Sequence, residues 1–293
     1  MSAHGAVIPP ASGRERLKDR GFRGLIVFCT LAGMGMLALL LWDVAADGGD
    51  RLSWDFVTTF PSAFPDKAGI ESALMGTIWL MAVCAAFIIP VGVATAIYLE
   101  EYADRNRWWN RFVEVNIQNL AAVPSIIYGI LGLAFLVRGP LDLGRVVLAG
   151  GLTLGLLVLP VVIIAAREAI RAVPPSIREG SMALGATQWQ TIRKQVLPAA
   201  IPGIATGVIL ALSRAIGETA PLIVVGAASF VAFNPSGLDD AFTALPLQIF
   251  EWISRPQPEF QLLAAAGILI LLALLMSMNA VAIWLRNRYE QKW

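Results

Sequence analysis

A single histidine, two cysteines and a charged fraction of 15% leave this 293-residue chain little of what catalysis, metal binding or a solvated surface requires. His4 lies in an N-terminal segment without apolar periodicity, so no metal site can be assembled around it. Cys29 and Cys84 both fall inside long apolar runs, which gives no basis for a structural disulfide and no guide to redox compartment. No GxxxxGK[ST] phosphate loop occurs anywhere, so any ATP that drives this protein must be bound by another chain. A nucleophile, a base and an orienting acid do not gather in a soluble region, because there is hardly any soluble region. The net charge of +1 gives no reason to expect nucleic acid as a partner. No inverted repeat of the kind typical of secondary transporters is evident.

What is abundant is apolar. Hydrophobic residues make up 57% of the chain and the mean hydropathy is +0.69, more than a soluble domain carries. Six runs reach bilayer length: Phe22 to Trp42, Ala73 to Tyr98, Phe112 to Val137, Val146 to Ala166, Ala199 to Ala228 and Phe260 to Leu285. Each is continuous over about twenty residues, where a barrel strand would alternate over about ten, so the fold class is all-α: a polytopic membrane protein of six transmembrane helices. The first run is longer than a signal-peptide core and follows a basic, proline-containing tail, which reads as an uncleaved anchor. The chain then divides into a cytoplasmic N-terminal tail (1–21), a transmembrane domain (22–285) with a cytoplasmic segment (171–198) inside it, and a cytoplasmic C-terminal tail (286–293). Basic residues set this orientation. Of 22 Lys and Arg, 16 lie in segments 14–23, 105–111, 167–194 and 286–292, against five on the other side: Arg51, Lys67, Arg138, Arg145 and Arg255.

On that outer side, the loop from Asp43 to Ser72 joins acidic residues to Trp54, Phe56, Phe60 and Phe64, either as an interfacial belt or as a contact surface for an external partner. A second outer loop, Ser229 to Glu259, contains LPLQIFEWI from Leu245. Pro246, Ile249, Phe250 and Ile253 share one helical face there, which predicts a short helix on the membrane surface or packed on the spans. Pro90, Pro124, Pro160, Pro202 and Pro221 each remove a backbone donor and can bend a span, while Gly129, Gly132, Gly150, Gly151 and Gly155 permit close helix packing.

Two polar features interrupt the apolar pattern. The first is REGSMALGATQWQTIRKQVLP, from Arg178 to Pro198, where Glu179 is followed by Gly185 and then by Leu197-Pro198. Gly185 can turn where a side chain would obstruct, with Met182, Leu184, Trp189 and Ile192 as a small apolar face and Arg193 and Lys194 in water. The second is SRAIGETAP, from Ser213 to Pro221. Arg214 and Glu218 stand four apart in the fifth run, within reach of each other on one helical face. An arginine at bilayer depth costs about 2.5–3.5 kcal/mol on insertion scales, and an i,i+4 pair returns only about 0.2–0.5 kcal/mol. Helix stability therefore gives no reason for the pair. It faces either a polar pathway, where an arginine fork suits a tetrahedral oxyanion, or a partner helix whose packing it fixes.

The first feature resembles the EAA motif of ABC-importer permeases, E-A-A-x3-G-x9-I-x-L-P, with Gly180 and Ser181 where two alanines are usual and Gln195 where an aliphatic residue is common. The resemblance implies a type I permease fold in which two short helices, joined by a turn at Gly185, fit a cleft in a separate ATPase subunit. Glu179, Gly180, Ser181, Gly185, Leu197 and Pro198 are the coupling residues it implies. The blocks RAIGETAPLI (214–223), SWDF (53–56), KAGI (67–70) with Gly76-Thr77, VPSIIYG (123–129) and ALPLQIFEWISRPQ (244–257) are narrower, and resemble the PstA-type permease of phosphate-specific ABC importers. That resemblance implies a multi-pass permease of the bacterial plasma (inner) membrane, importing inorganic phosphate and surrounded by membrane lipids. Its implied partners are a second similar permease, two copies of an ABC ATPase, an extracytoplasmic phosphate-binding protein and a phosphate-signalling regulator. ATP and Mg are implied on the ATPase subunits, with no cofactor on this chain and no catalytic site of its own. Arg214 and Glu218 carry over as pathway residues. Import of sulfate or molybdate by the same architecture, an ion-coupled secondary transporter, and a scaffold reporting phosphate status are the rival readings.

Overall fold

The computed structural model describes residues 13–104, 106–227 and 230–289, all of whose regular structure is helical. His4 and the outermost part of each expected tail lie outside these residues. In chain order the helices are α1 (Gly13–Gly49), α2 (Trp54–Thr58), α3 (Glu71–Ile97), α4 (Trp108–Leu120), α5 (Ser125–Leu131), α6 (Val147–Arg171), α7 (Pro175–Ala183), α8 (Gln188–Thr191), α9 (Leu197–Ile216), α10 (Ala220–Val225), α11 (Leu245–Ile253) and α12 (Pro258–Tyr289). Helices α3, α5 and α8 each run on into a π-helical turn, Tyr98–Tyr102, Gly132–Val137 and Ile192–Val196.

The bundle is centred on α6. Leu154, Val158 and Val162 of α6 are buried between Leu80, Cys84 and Ile88 of α3 and Ala200, Val208 and Ala211 of α9. Close approach to α3 depends on Gly151 and Gly155, one turn apart: an added Cβ would stand 2.6 Å from Val83 and 2.7 Å from Phe87. In lipid, where apolar burial between helices gains little, such small-residue contacts let backbones approach and gather dispersion energy. Helix α12 packs on α9, and α1 packs on α12. No residue in the most apolar windows of α1 and α12 is fully buried by this chain, which leaves much of their surface to lipid or to another subunit.

Five helical stretches among the described residues are long and apolar enough to cross a bilayer: Lys18–Gly49, Glu71–Tyr102, Val147–Arg171, Gln188–Ile216 and Pro258–Arg288. The expected third span, Phe112 to Val137, is corrected. It consists of α4 and the α5 segment, meeting at 109°. Pro124 lacks a backbone donor and biases Val123 away from helix, so the chain turns there. Helix α4 is amphipathic, with exposed Trp108, Trp109 and Phe112. Counted with α5 as one broken crossing, it makes the sixth span.

Other expected boundaries move as well. Helix α1 begins at Gly13, so residues 13–21 are helical, consistent with the good helix formers of RERLKDR. Its other end runs through Gly49, into what was expected to be loop, and α12 continues through Arg286 to Tyr289. The helix expected at Leu245 is present, and of the two placements expected for it the structure shows packing on the spans. Leu245, Ile249 and Trp252 are buried against α12 and Phe56, the Leu245 amide donates to Thr77 Oγ1 (2.9 Å), and Phe250 and Ile253 are exposed. The shared apolar face therefore lies one position away from the expected one, because Trp252 turns its large ring inward.

Candidate functional site: a helical hairpin and a broken helix

The hairpin at residues 175–196 forms as its glycine requires. Helix α7 ends at Ala183, and Gly185 takes φ +86°, a left-handed conformation that residues with a Cβ avoid. Thr187 then caps α8: its hydroxyl accepts from the Gln190 amide (3.3 Å), while the Gln190 side chain accepts from the Thr187 amide (2.9 Å). Glu179, Gly180 and Gly185 are exposed on this hairpin, as are Met182, Leu184 (91% exposed) and Trp189. Ile192 is different. Expected on the same face, it is buried, because α8 passes directly into the helix that enters the core. Ser181 turns inward to share a hydrogen bond with Thr191 Oγ1 (2.9 Å), joining the two arms of the hairpin. Leu197 packs toward the core at the start of α9, and Pro198 is exposed beside it. A groove of about 440 Å³ between the arms is lined by Gly180, Ser181, Leu184 and Gln190.

An ionic strap, absent from the sequence expectations, ties this hairpin to the membrane helices. Arg178 of α7 donates to Glu101 through Nε (3.1 Å) and Nη2 (2.8 Å), and to the carbonyls of Val173 (2.6 Å) and Ile170 (2.8 Å). Gln188 of α8 donates to the Glu101 carbonyl at 2.6 Å. One residue earlier, Glu100 accepts two bonds from Arg171 (3.1 and 2.9 Å) and lies 3.6 Å from Arg167, which also donates to Glu114 of α4 at 2.9 Å. The Glu100 and Glu101 side chains are only 5% and 9% exposed. In the sequence Arg167 and Arg171 had signalled only topology, Arg178 only that and the start of the 178–198 segment, and the glutamates had no assigned role. What could have marked them is the pair of adjacent glutamates closing an apolar run, followed much later by arginines at 167, 171 and 178.

At the far end of α9 stands the second site. Arg214 lies in the last helical turn and its Nε is 3.5 Å from Glu218 Oε1, so the two residues do meet. The expectation that both belong to one continuous helix is corrected. The helix stops at Ile216, Gly217 caps it, and Glu218 lies in the break before α10. Pro221 supplies the reason: it has no amide to donate to Gly217, and its ring would press on that carbonyl. The Arg214 side chain is 44% exposed and that of Glu218 20%, so this chain alone leaves the guanidinium open. Beside them Ser213 donates to Asn279 of α12 (2.9 Å), fixing the end of α9. From Pro198 to Arg214 the helix spans about 24 Å, which separates the two sites by most of a bilayer core.

Comparison with known proteins places this arrangement. Residues 88–292 match the family described as binding-protein-dependent transport system inner membrane component. A probable ABC transporter permease protein, YqgI of Bacillus subtilis (strain 168), is 29% identical over 290 residues, covering 95% of this chain and 98% of the relative. The phosphate transport system permease protein PstA 1 of Mycobacterium tuberculosis (strain CDC 1551 / Oshkosh) is 31% identical over 285 residues, covering 96% and 92%. Among solved structures, a bacterial alginate ABC transporter in complex with an alginate pentasaccharide-bound periplasmic protein superimposes with a TM-score of 0.64 at 17% identity, over 93% of this chain and 99% of the other. An inward-facing MetNI methionine ABC transporter gives 0.59 at 18% identity, over 74% and 94%. At such identities the structural likeness is one of fold: that of ABC importer permeases.

Proposed function

The chain belongs to the family of binding-protein-dependent transport system inner membrane components, and from that premise we propose that it is half of the translocation pathway of an ATP-driven importer of inorganic phosphate. The observation that carries the choice of cargo is the Arg214–Glu218 pair, half-open at a helix break in a chain whose relatives include phosphate permeases. A guanidinium presents paired donors that match two oxygens of a tetrahedral anion, and its positive charge offsets the cost of bringing that anion out of water. Its contact with Glu218 is long and engages Nε alone. The carboxylate thus holds the arginine in place without occupying its two Nη groups, and its negative charge keeps a bound anion from being trapped.

The remaining parts follow the same logic. A second similar permease completes the pathway, two ATPase subunits bind ATP and Mg, and an extracytoplasmic protein delivers phosphate. Glu179, Gly180 and Gly185, with the apolar residues around Leu184, dock an ATPase on the α7–α8 hairpin, which faces the cytoplasm. When the ATPase pair closes it moves the hairpin, and the strap from Arg178 to Glu101 carries the motion into α3 while the α8–α9 connection carries it toward Arg214. A bundle with two packings then alternates access. The test is uptake of labelled phosphate by cells whose import depends on this chain. Excess unlabelled sulfate or molybdate should leave uptake unchanged; competition by either, at concentrations where unlabelled phosphate competes, overturns the assignment of cargo.

A further inference from the structure

At the end of the molecule away from the Gly185 hairpin, two arginines share a cavity whose lining contains no carboxylate. Arg138 follows the π-helical end of α5, Arg145 precedes α6, and the open cavity of about 520 Å³ between these two exposed residues is lined by Val224 of α10, by Gly226 that caps it and by Ala241. Arg145 is seated there by the backbone. Gly226 has φ +91°, and a Cβ on it would stand 2.7 Å from Arg145 Nε, so the glycine leaves the space in which the arginine lies. Neither guanidinium makes an ion pair or hydrogen bond among the described residues. The other two arginines of this side are paired, Arg51 at 3.6 Å from Asp66 and Arg255 at 2.6 Å from Glu251, while Lys67 has no such contact among the described residues but stands apart from this cavity. The nearby Asp240 is already engaged, accepting from the Ser236 hydroxyl (2.8 Å) and from the Ser236 and Gly237 amides (2.7 and 2.9 Å), contacts that hold its carboxyl below the usual range.

Two like charges on one cavity repel each other and give the fold nothing. They do give an anion a place to shed part of its water. Helix α10 joins this cavity to the Arg214–Glu218 break, since Ile223 and Val224 line the one and the helix begins two residues after Glu218. Eight residues separate Glu218 from Gly226, roughly 12 Å if helical. The geometry points to an anion-capture site at the extracytoplasmic mouth, in which Arg138 and Arg145 receive an inorganic oxyanion and hand it along α10 to Arg214. This rests on the phosphate-import reading above.

The experiment uses the purified complex with its partner subunits, without binding protein, in an R214Q background that silences the deeper site. Inorganic phosphate is titrated and its phosphorus resonance followed. Line broadening should be present in R214Q, require about tenfold more phosphate after adding R138Q and R145Q, and return in part with lysines at both positions, as expected when charge-assisted bonds are lost and then partly restored. With Arg214 intact, R138Q/R145Q should lower phosphate uptake about tenfold while the binding protein stimulates ATP hydrolysis at its usual concentration. Broadening that does not change in the double variant overturns the inference. So does unchanged broadening with a raised binding-protein requirement, which would make the patch a protein-docking surface. If sulfate competes for uptake at concentrations where unlabelled phosphate does, sulfate-dependent protection of Arg138 and Arg145 from an arginine reagent keeps the capture site while the cargo reading falls. Absence of any protection by either anion in wild type overturns the capture site itself.

Discussion

The two ends of α9 treat arginine in opposite ways. Near the hairpin, Arg178 makes four hydrogen bonds and its partner Glu101 is almost entirely covered, while at the helix break Arg214 is nearly half exposed with a single contact at 3.5 Å. Burying a charge is tolerable only when many partners replace its water, and the strap satisfies that demand. A charge meant to meet a transient ligand has to stay under-coordinated. On the import reading proposed above, the difference teaches that partner number, more than the presence of charge in an apolar chain, separates what builds this permease from what it would offer its cargo.

The comparison is broken most severely at Arg178. Arg178→Met should strip Glu101 of its counter-ion and remove the side-chain donor from the Val173 carbonyl, costing about 3–5 kcal/mol, the range for removing one partner of a buried pair. Thermal inactivation of the purified complex measures it, and adding Glu101→Gln should recover part of the loss by removing the stranded charge. An Arg178→Met protein no more labile than wild type would mean the strap is ornamental to stability.

Arg214→Gln should act on the opposite quantity. Phosphate uptake is expected to fall more than tenfold, with thermal stability within about 1 kcal/mol of wild type, since a half-exposed pair contributes about 0–1 kcal/mol. The exchanged protein, Arg214→Glu with Glu218→Arg, sharpens this. A pair kept for packing tolerates reversal, and a pathway that needs positive charge at one depth does not. Near-normal uptake by the assembled, reversed protein would return the pair to a structural role.

How much of this was legible in the sequence depends on the range of the interactions involved. The turn at Gly185 and the meeting of Arg214 with Glu218 are set within a few residues, and local spacing revealed both. The strap joins residues 53 to 87 positions apart, and no local pattern pairs Glu101 with Arg178 or Gln188. The breaks lay between. Pro124 and Pro221 were visible as bends, yet a kinked helix and a helix that ends look alike in sequence, and only the neighbours decide which occurs. Thus α4 and α5 diverge by 109°, and Glu218 falls outside the helix. Helix α11 was legible as an element but not in its rotation, because an aromatic such as Trp252 can face either lipid or core.

Smaller effects test the exposed tip of the hairpin. At Gly185 an added Cβ meets nothing within 4 Å, so Gly185→Ala carries only the backbone penalty of φ +86°, about 1–2 kcal/mol, as local strain of the turn. Asn accepts that conformation more readily, and Gly185→Asn should cost less. Capture of the ATPase by the detergent-solubilised chain distinguishes turn from dock: if Asn weakens capture more than Ala does, the added side chain obstructs the cleft, and if neither weakens it, Gly185 is not part of the dock. Glu179→Ala should be milder still. The side chain is exposed and makes no hydrogen bond or ion pair among the described residues, so the chain's own stability should stay within about 0.5 kcal/mol. Whatever it contributes must then appear only across the interface, as a loss of about threefold in ATPase capture that salt diminishes, as for other rim charges. Destabilisation of the isolated chain by Glu179→Ala would place that carboxylate with the strap, among the charges that build the fold.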